Sequence, residues 1–88
     1  MAYVYILKSL KDNCNYIGST IDLQKRINQH QKGLVNSTKN RLPVILHGFR
    51  KFDSIEEATV WEKKYKRSHG QLLRDIKNRL IIINNTRP

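Results

Sequence analysis

Ala2-Tyr3-Val4-Tyr5-Ile6-Leu7-Lys8 and Asn15-Tyr16-Ile17-Gly18 decide the fold of this chain. Both runs are rich in β-branched and aromatic side chains, and Asp12-Asn13 between them supplies turn chemistry, so together they read as an antiparallel hairpin. Beyond Gly18, Ser19 or Thr20 offers a helix cap, and Leu23, Ile27 and Leu34 recur on one apolar face. This pattern predicts a first helix from about Ile21 to Lys32, stopped by Gly33. Asn36 to Arg41, with Pro43, reads as a loop, and Val44 to Phe52 as a third strand interrupted by His47 and Gly48. Ser54 and Glu57 form a capping box, after which Ala58, Trp61 and Tyr65 mark one stripe of a helix running to about Ser68. Gly70 separates a third helix, Gln71 to Ile82, carried by Leu72, Leu73, Ile76, Leu80 and Ile83. The expected architecture is α/β, a three-stranded sheet flanked by about three helices over residues 1–83, with strand order left open and a frayed tail at 84–88.

The 88 residues suffice for one domain. A single cysteine, Cys14, allows no internal disulfide, and no Cys or His spacing matches a structural zinc site. With no secretory leader and no apolar run longer than Leu80 to Ile83, the expectation is a cytoplasmic protein without membrane association. Seventeen Lys and Arg against seven Asp and Glu leave a net charge of +10, which makes a polyanion, and nucleic acid first, the expected partner. A monomer is the default, with a homodimer as the alternative.

Several residues carry chemistry by type and spacing. Arg26 and His30, four apart, project from one side of the first helix. Arg26 either pairs with Asp22 on an exposed face or binds a phosphate through two parallel hydrogen bonds. His30 is either solvated or placed to accept a proton near neutral pH. His47 and His69 lie in no motif and read as solvated. Glu62 falls within the apolar stripe of the second helix. It either pairs with Lys66 or joins substrate oxygens and water around a divalent cation. Trp61 and Tyr65, at helical spacing, read as core residues.

Tyr3-Val4-Tyr5, the intact Tyr16-Ile17-Gly18, Ser19-Thr20-Ile21-Asp22-Leu23 with Arg26, His30 and Gly33, Ser37-Thr38 with Arg41-Leu42-Pro43, and Glu57-Ala58 with Glu62 and Lys66 occur in order along nearly the whole chain. In this it resembles the GIY-YIG nuclease superfamily, and among its members the small stand-alone bacterial ones. The resemblance implies a three-stranded antiparallel sheet and hydrolysis of DNA phosphodiesters dependent on one Mg²⁺ or Mn²⁺ ion, on single-stranded or structured DNA, in repair, recombination or defence. By position it makes Tyr5 or Tyr16 the group that orients or deprotonates water, Arg26 the stabiliser of phosphorane-like charge and His30 an aid to proton transfer. Glu62 becomes the metal ligand, and Gly18 lets the backbone pass close to the site. The alternative is a catalytically weak nucleic-acid-binding module. Tyr3 stands where the signature has glycine, and Asn78, Asn84 and Asn85 receive no role. Lys39, Arg41, Lys63, Lys64, Lys66, Arg67 and Arg74 are the expected phosphate contacts.

Overall fold

The computed structural model describes residues 1–83. Strands β1 (Ala2–Ser9) and β2 (Asn15–Thr20) form the hairpin, followed by helix α1 (Leu23–Gln31), strand β3 (Val44–Phe52), helices α2 (Ile55–Arg67) and α3 (His69–Lys77), and strand β4 (Ile82–Ile83). The sheet has four strands in the order β2-β1-β3-β4, every pair antiparallel, one strand more than the sequence pattern implies. The expected tail at 84–88 lies outside the described residues.

β1 is central and covered on both faces, so its alternation sorts side chains into two cores. Ala2, Val4 and Ile6 pack with Phe52, Ala58, Tyr65, Leu72 and Ile81 beneath α2 and α3. Tyr5 and Leu7 point the other way and pack with Ile27 of α1 and with Val44. β3 serves both faces because of a bulge: Ile6 pairs with Gly48 and Leu7 with Leu46, leaving His47 as the extra residue. An extra residue reverses the phase of a strand. Val44 accordingly joins the α1 side, and Phe52 the α2 side.

Helix boundaries follow local chemistry. Asp22, rather than Ser19 or Thr20, caps α1, its carboxylate accepting from the backbone N–H of Lys25. Leu34 lies beyond α1, 71% exposed, and not on its buried face. Ser54 caps α2 as the capping pattern implies. Ser68, in extended conformation, ends α2 and caps α3 through Gln71 N–H, so the break precedes Gly70, which lies within α3. The long third helix expected to reach Ile82 stops at Lys77, because Arg79 adopts φ 62° and turns the chain back. Leu80 N–H then donates to Asp75 O, and Ile82 and Ile83 pair with Phe49 and Gly48. A Cβ at Gly48 would stand 2.9 Å from Ile82 O, so glycine permits this approach.

A buried polar cluster joins α2, α3 and β3. Tyr65 Oη donates to Asp75 Oδ2 (2.5 Å), Arg50 Nη1 reaches both Tyr65 Oη (2.8 Å) and Asp75 Oδ2 (3.3 Å), and Gln71 Nε2 donates to Asp75 Oδ1 (2.8 Å). Burial, with the Asp75 hydrogen bond second, pushes the Tyr65 phenol up to about 12. The Arg50 guanidinium also lies over the rings of Phe52 and Trp61. Among the described residues, no helix is long and apolar enough to cross a membrane.

Candidate active site

The hairpin register sets Tyr5 opposite Gly18 and Leu7 opposite Tyr16, so both tyrosines belong to the face covered by α1. The Tyr5 ring lies across Gly18, where a Cβ would collide with its hydroxyl and Cζ. Only a residue without a side chain leaves room for the phenol. Arg26 and His30 approach this ring from α1. The Tyr5 oxygen accepts from Arg26 Nε at 3.3 Å and stands 3.0 Å from His30 Nε2. Arg26 is steadied by Nη1 donating to Gln29 Oε1 at 3.0 Å, and does not pair with Asp22, which serves as the helix cap. His30 Nδ1 stands 2.7 Å from Thr38 Oγ1. Tyr5 and His30 are each 3% exposed. Burial first, and the Arg26 charge second, lower the His30 pKa from its ordinary value, so the imidazole is neutral at neutral pH.

Ser19 follows Gly18 and points to the opposite face, toward α2. Its hydroxyl donates to Glu62 Oε1 at 2.5 Å, while Lys66 Nζ donates to Glu62 Oε2 at 2.8 Å. Edge strand β2 therefore has a phenol, a guanidinium and an imidazole on one face and a carboxylate on the other. A cleft of about 510 Å³ bends around it and is lined by Tyr5, Tyr16, Gly18, Arg26, His30 and Glu62 together.

Among the described residues, Glu62 is the single carboxylate lining that cleft, and no group of three or more His, Cys, Asp or Glu is placed to enclose a metal. One carboxylate beside hydroxyls suits a hard cation that keeps most of its water and takes phosphate oxygens. The Lys66 head, on a side chain 53% exposed, has solvent into which to withdraw from Glu62. The residues present fit such an ion.

All six candidates from the two signature strands, α1 and α2 meet in the cleft. The candidate phosphate contacts are more dispersed. Lys66 lines the cleft, Arg41 pairs with Asp12 at 3.2 Å, and Lys64 lies over the Trp61 ring. Lys39, Lys63, Arg67 and Arg74 are exposed. Tyr65 is core, as its spacing implies, and Trp61 is half-buried against Phe52. The sequence reading offers Ser19 as a helix cap, Thr38 as part of a loop string and His69 as solvated, and gives none of them a part in the site. Ser19 and His69 nevertheless line the cleft, His69 from the first turn of α3, and Thr38 touches His30. The sequence pattern ends the second helix at about Ser68, but nothing in the apolar period shows that the break brings His69 to the cleft wall.

A family model described as the GIY-YIG catalytic domain matches residues 1–78. A UPF0213 protein of Lactococcus lactis subsp. cremoris is 39% identical over 82 residues, covering 90% of this chain and 83% of the relative. A UPF0213 protein of Streptococcus pyogenes serotype M3 is 40% identical over 67 residues, covering 75% and 72%. The solution NMR structure of a UPF0213 protein from Bacillus halodurans superposes with a TM-score of 0.51 at 35% identity, covering 89% of this chain and 84% of that one.

Proposed function

The chain belongs to the GIY-YIG family, which carries a nuclease-type fold, and from that premise we propose that it is a DNA endonuclease hydrolysing phosphodiester bonds with one Mg²⁺ or Mn²⁺ ion. The observation that carries this reading is the convergence of Tyr5, Tyr16, Arg26, His30 and Glu62 on one cleft. In the proposed reaction, Tyr5 takes the proton of the attacking water, because its oxygen sits between the Arg26 donor and the His30 acceptor. Arg26 holds the phenol oxygen by its hydrogen bond and balances charge growing on the phosphoryl oxygens. Tyr16, half-buried along the same face, orients the water. Glu62, with Ser19 fixing one of its oxygens, would hold the ion, and the chemistry that ion supplies is neutralisation of the phosphate and of the leaving oxygen. Exposed Lys39, Lys63, Arg67 and Arg74 would hold the DNA backbone without reading sequence.

The test is incubation with single-stranded, duplex and branched oligonucleotides in Mg²⁺ or Mn²⁺. Cleavage by the wild type, lost in Glu62→Ala and Arg26→Ala while binding persists, supports the proposal. Equal binding and no cleavage by all three on every substrate ends it. One observation favours a second reading, a DNA-binding module of weak turnover: both oxygens of Glu62 are already engaged by Ser19 and Lys66.

A further inference from the structure

Thr38 is wholly buried in the loop after α1, and its Oγ1 stands 2.7 Å from His30 Nδ1. The loop that carries it is tied down: Thr38 N–H donates to Val35 O, Arg41 N–H to Thr38 O, and Ser9 Oγ of β1 to Arg41 O. The hydroxyl is thus held against the imidazole by backbone anchored to the central strand.

A neutral imidazole carries one ring proton, and the partners of its two nitrogens decide where that proton resides. Nε2 faces the Tyr5 hydroxyl, whose oxygen already accepts from Arg26 Nε. A guanidinium only donates. Among the described residues, Nε2 is therefore the one acceptor in reach of the phenol's own proton, provided that Nε2 is bare and Nδ1 carries the hydrogen. Thr38 Oγ1 stands where that Nδ1–H points. In the other tautomer two N–H groups would converge on the phenol oxygen, and the Tyr5 hydrogen, on a residue 3% exposed, would face no acceptor among the described residues.

We propose that Thr38 is a positioning residue that keeps the His30 proton on Nδ1 and so leaves Nε2 free to receive the proton of Tyr5. Its catalytic consequence rests on the hydrolysis reading. As water attacks phosphorus, one water proton passes to the Tyr5 oxygen and the original phenol proton passes to Nε2. One O–H bond of water breaks as one re-forms on Tyr5. The water oxygen's freed pair bonds to phosphorus as the bond from phosphorus to the leaving sugar oxygen breaks, that oxygen taking a proton from solvent, and the imidazolium goes on donating from Nδ1 to Thr38.

Long-range proton–nitrogen NMR of nitrogen-labelled protein reads the tautomer directly. The wild type and Thr38→Ser should show His30 with a pyrrole-type Nδ1 and a pyridine-type Nε2. Thr38→Val should move the population toward a proton on Nε2. On a cleaved oligonucleotide, Thr38→Val should lower kcat by roughly tenfold or more at unchanged KM, as part of the ~10²–10⁴ that acid–base assistance supplies, with Thr38→Ser restoring it. Where Thr38→Val does not fold, Thr38→Ala removes the same hydroxyl without adding a methyl and is read in the same way. A wild-type His30 protonated on Nε2, or a tautomer unmoved by loss of the hydroxyl, overturns the assignment. Because the spectra need no substrate, a protein that cleaves nothing but shows the expected tautomers refutes the hydrolysis reading and leaves the positioning role of Thr38 intact.

Discussion

The hydroxyl of Tyr5 lies 3.0 Å from Nε2 of His30, inside a contact from which water is nearly excluded. Tyr5→Phe keeps the ring over Gly18 and removes the bond. Cleavage should fall by about 10²–10⁴-fold while DNA retention holds. Leaving Nε2 buried without its partner should cost about 1–3 kcal/mol of folding stability, read by urea denaturation. Undiminished turnover in Tyr5→Phe would remove the phenol from the chemistry.

Ser19 and Lys66 occupy the two oxygens of the Glu62 carboxylate, so a cation bound there would compete with them. Glu62→Gln should abolish Mn²⁺ binding in calorimetry, and Lys66→Ala should lower the metal concentration that half-saturates the site. If Glu62→Gln binds Mn²⁺ as tightly as the wild type, the ion sits elsewhere.

Gly18→Ala drives a methyl into the Tyr5 ring. The ring must shift off its hydrogen bonds, and the overpacking should cost about 1–3 kcal/mol, visible as a lower urea midpoint together with lost cleavage. An unchanged midpoint would show that the ring has room to spare.

Acid should weaken the fold through His30. Its folded pKa lies below the ordinary 6.5, so the unfolded chain binds the proton first. Stability present above pH 6.5 is therefore lost as pH falls from that value toward the lower folded one. His30→Gln should flatten the slope of urea midpoint against pH in this window, and equal slopes would count against a buried neutral imidazole.

Alkali should act through Tyr65. Its phenol titrates at about 12 in the fold against 10.0 without the fold, so the unfolded chain loses that proton first and stability declines as pH rises between the two. Phenolate absorbance should show one tyrosine ionising last in the native protein. Asp75→Ala, which leaves Arg50 without its buried partner, should cost about 3–5 kcal/mol in urea denaturation.

Residue types and helical spacing placed Arg26 beside His30, and hairpin composition placed the two tyrosines on neighbouring strands. Such signals are local, and local chemistry survives folding here. What escaped depends on contacts distant in sequence. Spacing lets Asp22 either pair with Arg26 or leave it for a phosphate, and only the unpaired N–H groups of α1, which take its carboxylate, exclude the pair. Leu80 and Ile83 continue the helical period of α3, but the left-handed turn at Arg79 discards it, and no glycine announces that turn. The interruption at His47 and Gly48 shows in the sequence, but not that it is a bulge, because the apolar run of β3 reads the same on either phase. Asp75 sits among exposed-looking polar residues, and only the approach of Arg50 and Tyr65 makes it a buried carboxylate.

The alternation of β1 has a consequence for how such a chain can vary. Tyr5 answers to α1 and Val4 to α2, and their partners Gly18 and Ser19 repeat that division on β2. Inserting or deleting a single residue in the turn spanning 10–14 would offset the hairpin by one. Ser19 or Ile17 would then lie under the Tyr5 ring, and Gly18 would face Glu62. Point changes elsewhere on the surface spare this arrangement. The length of one short turn therefore decides which chemistry each face of β2 presents.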